Sequence, residues 1–216
     1  MPPTVVRCCS LMRLEPFSLG GSHVRLEPLA LEHAAELTLA ATADRSTYGW
    51  TAVPADEPAM HTYIAALLAD AAADSVVPFV QRRLTDGALV GCTRFLDLKW
   101  WAGRSVPAEA EIGGTWLAAS AQRTPINTEA KLLLLTHAFE TWNVERLAIC
   151  TDARNERSRA AIERLGATFE GVLRNHRQQA GHHTTPGAPR NTAVYSIIPT
   201  EWPSIKQRLE ERLHGN

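Results

Sequence analysis

From His23 to Leu29, "HVRLEPL" alternates apolar and polar residues, a period of two that predicts a half-buried strand. "LEHAAELTLAAT" then takes helical spacing, and "DEPAMHTYIAALLADAAA", Asp56 to Ala73, predicts a second helix. Asp56 supplies an N-cap there, and Pro58 falls in the first turn, where a missing N–H leaves no bond unmade. Between the two helices, "DRSTYGWTAVP" reads as a loop carrying Tyr48 and Trp50. Three strand-like segments follow: "VVPFVQRRL", "ALVGCTRFLDLKW" and "AEIGGTWLA". Asp86-Gly87 marks a hairpin between the first two, and the longer turn "WAGRSVPAE" separates the second from the third.

"AQRTPINTEAKLLLL" runs from a loop into a helix that ends near Trp142. Its centre is apolar nearly all round, so both of its sides are expected to be covered. Thr124 can cap it with Pro125 at the first helical position, or Asn127 can serve as the cap. "RLAICT", Arg146 to Thr151, is a short apolar strand expected to be buried on both faces. "NERSRAAIERLG" predicts a helix starting near Asn155 and closed by Gly166, the residue best suited to a left-handed cap. "TFEGVLRN" and "TAVYSII" predict two strands joined by the loop "HRQQAGHHTTPGAPR", and "EWPSIKQRLEERL" a terminal amphipathic helix. Hairpins in the first half and a strand–helix–strand crossover in the middle predict a mixed sheet with helices on its faces.

Composition narrows the picture little. The 216 residues, 45% apolar and 21% charged, suit one domain with a proper core: residues 21–216, preceded by a loosely ordered arm at residues 1–20. A net charge of -1 gives no reason to expect nucleic acid or an anionic membrane as partner. Cys8, Cys9, Cys92 and Cys150 lack metal-ligand or disulfide-framework spacing, so a reducing cytoplasm fits best. The adjacent His182 and His183 have no helical His-x-x-x-His near them, and no metal is expected. No apolar run approaches the ~18–20 residues of a membrane span. The start "MPPTVVRCCSLMRLEPF" lacks the apolar core of a signal peptide. Neither GxGxxG nor GxxxxGK[ST] occurs, which excludes the common dinucleotide and ATP loops.

A helix N-terminus offers free N–H groups and a partial positive charge, so the start of "TPINTEAK" can hold a phosphate; simple capping of a core helix is the other reading. "EIGGTWL", "QRTPINTEAKLLLLTHAFE", "RLAICTDARNERSRAAIERLGATFEGVLR" and "VYSIIPTEWPSIKQRL" together resemble the GNAT superfamily of acetyl-CoA-dependent N-acyltransferases. Within it they are similar to the branch of ribosomal-protein N-terminal acetyltransferases. The resemblance implies an α/β (α+β) fold: a mostly antiparallel seven-stranded sheet flanked by helices, its fourth and fifth strands splayed around the pantetheine arm of acetyl-CoA. Those strands are Ala110 to Ala118 and Arg146 to Thr151. The family's pyrophosphate loop, Gln/Arg-x-x-Gly-x-Gly/Ala, aligns with Gln122-Arg123-Thr124-Pro125-Ile126-Asn127 and continues into Thr128. Gln122 matches. Pro125, which has no N–H, and Asn127 replace the small residues, while Arg123 adds a charge-assisted contact.

The implied reaction is attack by an amine on the acetyl thioester, which needs a base, an oxyanion donor and an acid for the leaving thiolate. Glu111 in "EIG" is the candidate base. A backbone N–H near Trp116 or Leu117 is the oxyanion donor. Position 162, where many members carry the acid tyrosine, is Ile162; the branch's Asn-x-x-Ser pattern instead matches Asn155 to Ser158. Ser158 is then the candidate acid and a cofactor contact, Asn155 a pantetheine ligand, and Tyr195 the alternative acid. The entrance for the acceptor, a protein N-terminus or a small amine, is expected between Tyr48, Trp50 and the basic loop with Arg174, Arg177 and Arg190. Relatives often carry aspartate where Asn191 stands. A catalytically weak ligand- or protein-binding module and a succinyl or other acyl donor are the alternatives. The terminal helix with Trp202 is a candidate dimer surface, against packing within the chain.

Overall fold

The computed structural model describes residues 14–181 and 183–215. In chain order the elements are β1 (Leu19–Gly20), β2 (Val24–Pro28), α1 (Ala34–Thr42), α2 (Glu57–Ala72), β3 (Val76–Arg83), β4 (Leu89–Lys99) and β5 (Glu109–Leu117). Then follow α3 (Pro125–Thr136), β6 (Arg146–Asp152), α4 (Glu156–Leu165), β7 (Thr168–Gln178), β8 (Pro189–Ile197) and α5 (Trp202–His214). The strands form one sheet in the order β1-β2-β3-β4-β5-β6-β8-β7. Among these strands only β5 and β6 run parallel, joined by the crossover through α3. The sheet therefore has eight strands rather than the expected seven. The extra one, β1, is a two-residue pairing of Leu19 and Gly20 on β2 that carries no alternation to read.

Each face of the sheet has its own core. α3, α4 and α5 cover one face, over Leu26, Phe79, Phe95, Ile112, Leu147, Ile149, Tyr195 and Ile197. α1 and α2 cover part of the other, over Val80, Leu89, Cys92 and Trp116. α3 is enclosed on both sides, as its all-round apolar centre requires: Ala130 and Leu134 are buried in the core, and α5 packs across its back. Trp202 of α5 is buried, stacked on Phe139 at 5.5 Å, and donates from Nε1 to Glu140. That is packing within the chain.

Of the expected N-terminal arm, residues 1–13 lie outside the described residues. Leu14, Phe17 and Leu19 pack on the core, and the Phe17 ring stacks on His137 at 4.1 Å. Burial lowers the His137 pKa to about 4, so this imidazole is a neutral member of an aromatic cluster with Phe95 and Trp142. Gly166 takes φ +104 as the left-handed cap of α4, as its position predicts.

Two expectations need correction. β6 is not buried on both faces: Leu147 and Ile149 are buried beneath the helices, whereas Ala148 and Cys150 on the opposite face are only half-buried. The loop after β7 is also shorter than the polar stretch implied. β7 and β8 continue as a ladder until Arg177 pairs with Arg190 and Gln178 with Pro189. A hairpin arm can carry polar residues on both faces once it extends past the core, so hydropathy does not mark its end.

Candidate active site

β5 and β6 pair over three positions only, from Glu109↔Arg146 to Glu111↔Ala148, and then separate. Their carboxyl ends diverge, leaving β5 beyond Glu111 without a strand on that side. A bulge accompanies the split. Cys92 opposes Trp116 and Arg94 opposes Gly113, so β5 holds one more residue than β4 across the interval. Gly114 sits in this bulge at φ +56, and a Cβ there would lie 2.4 Å from Cζ of Arg94. Glycine thus allows both the left-handed turn and the stacking of a guanidinium on the strand. Beyond the bulge the alternation is regular. The Ala118 N–H donates to Val90 of β4, which turns the Leu117 N–H the other way, into the split, and the Trp116 N–H toward β4. Of the two N–H groups left open by sequence, that of Leu117 is the one turned into the split.

α3 and α4 both begin at the mouth of the split. Thr124 is the N-cap of α3: its Oγ1 donates to the Ala121 carbonyl at 2.7 Å and accepts from the Ile126 N–H at 3.4 Å. Asn127 therefore lies in the first helical turn and is not the cap, and Arg123 takes the left-handed backbone at φ +59. The N–H groups of Arg123, Thr124 and Asn127 carry no hydrogen bond among the described residues. Asn155 caps α4, its Oδ1 accepting from the Ser158 N–H at 3.1 Å, and the Ser158 hydroxyl is without a partner among the described residues. Gln122 ties the two starts together. Its Nε2 donates to Leu117 O and to Thr47 Oγ1, and its Oε1 accepts from Arg157 of α4 at 2.7 Å.

The opposite face of the split is built from side chains. Glu111, 4% exposed, accepts from both Nη1 and Nη2 of Arg177 at 2.9 and 2.7 Å, and Arg177 also pairs with Asp97. Burial acts to lower the Arg177 pKa, but the hydrogen bonds and charge of Glu111 outweigh it and hold the guanidinium above its ordinary value. The Cys150 thiol lies against this pair. Burial first, then Glu111, pushes it up to about 12, so it is protonated and not a nucleophile. Asp152 is held by Arg154 at 2.8 Å, and the Arg154 guanidinium lies over the Trp50 ring at 5.0 Å. Trp50 in turn meets the His183 ring at 5.7 Å, closing the α1–α2 loop against the β7–β8 hairpin.

The GNAT acetyltransferase domain model matches residues 23–168. The chain belongs to the GNAT acetyltransferase family. A Bacillus subtilis (strain 168) relative named "Putative ribosomal N-acetyltransferase YdaF" is 35% identical over 123 residues, 57% of this chain and 61% of that protein's length. A GCN5-related N-acetyltransferase from Brucella melitensis superposes with a TM-score of 0.79 at 26% identity, covering 93% of this chain and 87% of the other. Mycobacterium smegmatis RimJ, solved with CoA-disulfide, shares the fold with a TM-score of 0.74 at 24% identity, over 91% and 95% of the two chains. The GNAT domain here thus has the expected mixed, mostly antiparallel sheet split between β5 and β6.

Against that frame, the GNAT positions singled out by sequence divide between the two sides. Gln122, Arg123, Ile126, Asn127, Thr128, Asn155 and Ser158 gather at the paired helix starts. Trp116 points away from them into the α1–α2 core, where its ring meets Tyr48 at 6.0 Å. Tyr48 is buried, and its hydroxyl has no hydrogen-bond partner among the described residues. Tyr195 faces the helices: its hydroxyl donates to Glu163 of α4 at 2.9 Å and accepts from Arg159 at 3.0 Å, on the sheet face opposite Glu111. Arg174 is exposed on β7, the sheet's edge strand. Asn191 accepts from the Asn175 N–H at the β7 irregularity. The Glu111–Arg177 pair, Arg94 and the buried Glu129 carry no local signal in the sequence, since their partners lie on distant elements. The Gly113-Gly114 dipeptide inside a strand is the one mark that could have announced the bulge.

Proposed function

We propose that this GNAT domain transfers an acetyl group from acetyl-CoA to a primary amine. The observation that carries the reading is the split between β5 and β6, with the starts of α3 and α4 side by side at its mouth. Free N–H groups there, together with the exposed Arg123, suit a pyrophosphate despite the donor lost at Pro125. The Leu117 N–H and the adjoining strand edge suit an extended amide-bearing arm lying between the strands. Acetyl-CoA, when bound, supplies an activated thioester. A relative named as a putative ribosomal N-acetyltransferase supports a protein N-terminus as the acceptor; a small amine is the other candidate.

The chain's own groups have distinct tasks in this reading. The Leu117 N–H donates to the oxygen on which negative charge develops. Ser158 holds a hydroxyl proton at the first turn of α4 for the departing sulfur, and Asn155 keeps that turn in place. Both Glu111 oxygens are bonded to Arg177, which weakens it as a base. It receives the amine proton through a water on a free lone pair, and an α-amine with a pKa of about 7.7–8.0 needs little more. Tyr195 is not the acid in this reading, since its hydroxyl donates to Glu163 on the opposite sheet face. Titration calorimetry with acetyl-CoA tests the proposal, followed by thiol release with amine acceptors. Absence of binding at millimolar cofactor overturns it. Binding without transfer to any amine establishes instead a ligand-binding module, the reading that the Glu111 pairing and Pro125 favour.

A further inference from the structure

β7 and β8 place Arg177 and Arg190 directly opposite one another, a like-charge pairing that weakens a ladder unless anions offset it. The offset is unequal. Arg177 takes Glu111 and Asp97, whereas Arg190 donates from Nε and Nη2 only to the Thr192 hydroxyl, at 3.2 and 3.1 Å. Among the described residues Arg190 forms no ion pair, although it is half-buried and within charge range of Glu111 and Asp152. Both of those carboxylates are already held, by Arg177 and Arg154. Burial, and then the charge of Arg177, lower the Arg190 pKa, so its cation is held at a cost that an arriving anion would relieve.

A second unpaired guanidinium lies across the same face. Arg94, on β4, stacks on Gly114 in the bulge and donates only to the Tyr63 hydroxyl at 3.3 Å. Three carboxylates, Asp97, Glu111 and Asp152, therefore face four arginines, and two of the arginines hold all three. The surplus is positive and lies on the face opposite α3, α4 and α5, beside Trp50 and the Leu117 end of β5.

We infer that Arg190 binds a carboxylate of the acceptor, so that the preferred acceptor is an acidic amine: one whose primary amino group lies a few bonds from a carboxylate. This rests on the acetyl-transfer reading and specifies its substrate class. A guanidinium bonded to a carboxylate in a partly desolvated site gives a charge-assisted bond, enough to separate an acid from its isosteric amide.

The test uses two C-amidated peptides that differ only by aspartate or asparagine at the second position. The wild-type chain is expected to acetylate the aspartate peptide with a kcat/KM about tenfold or more above the other, through KM. Arg190→Gln should bring the two peptides within about twofold, with acetyl-CoA affinity unchanged, while Arg190→Lys retains part of the preference. A wild-type preference of less than about twofold, or an R190Q variant that slows both peptides equally, overturns the inference. Peptide binding to the CoA-loaded protein, read by calorimetry, separates the two proposals. If no amine is acetylated, the enzyme reading falls, and loss of a binding preference in R190Q still decides the role of Arg190.

Discussion

The two sides of the β5–β6 split solve the same problem, holding charge away from bulk water, by different means. The helix side uses backbone. The starts of α3 and α4 supply N–H groups whose positions follow from two caps, Thr124 and Asn155, each within a few residues of the donors it orders. The opposite side uses side chains. Asp97, Glu111, Asp152, Arg177 and Arg190 come from five strands, and no bond of the Glu111–Arg177 pair spans fewer than 66 residues. Backbone donors are insensitive to most substitutions, because every residue but proline carries one. The charge network fails when Arg177 is removed, because Glu111 remains buried.

The largest effect is expected from breaking the network. Arg177→Met leaves Glu111 buried without its cation and should cost about 3 kcal/mol in urea unfolding. Adding Glu111→Gln should restore most of that, and a double variant no more stable than Arg177→Met would show that the pair is not the source. On the helix side, Asn127→Asp should split two properties. The first turn of α3 gains or keeps stability from an acid near its N-terminus. The same charge faces the pyrophosphate, and CoA affinity should fall about tenfold by calorimetry. Unchanged affinity would place the cofactor elsewhere.

Two smaller effects probe α3 itself. Burial lowers Lys131, bonded to Thr115 at 2.9 Å, to about 7 from 10.5. Between those values the unfolded chain holds the proton and the folded chain does not, so stability rises with pH across that window and is lowest below pH 7. Lys131→Met should therefore stabilise the domain by about 1 kcal/mol near pH 7, a gain that fades toward pH 10.5. Chemical denaturation at several pH values checks the slope. Thr124→Ala removes a cap bonded at 3.4 Å and should cost about 0.5–1 kcal/mol in thermal unfolding, with a small loss of CoA affinity.

How far the sequence could be read follows the same division. The alternation of β2 and the hairpin at Asp86-Gly87 are local, and so is the Gly166 cap; each appears where its pattern places it. The choice of Thr124 over Asn127 as cap was open, because both residues suit the role and only the path of the chain selects one. β6 is half-open on one face although its sequence is apolar, because apolarity marks what can be buried, not what a cleft leaves open. Glu129 lies in the middle of α3, yet its carboxylate is buried, accepting from the N–H groups of Ser22, His23 and Val24. Nothing near residue 129 in the sequence points to that contact.

By itself the sequence determined the order of elements from β2 onward, the crossover between β5 and β6, and the Asn155 and Gly166 caps of α4. These rest on spacing and backbone preference, which act over a few residues. Only the tertiary structure decided that the Leu117 N–H, not that of Trp116, faces the split. It also decided that Glu111 is held by Arg177 and that Arg190 is left with a hydroxyl for a partner. Those outcomes depend on register and strand order, and the distances that set a charge's surroundings exist only once the sheet has closed.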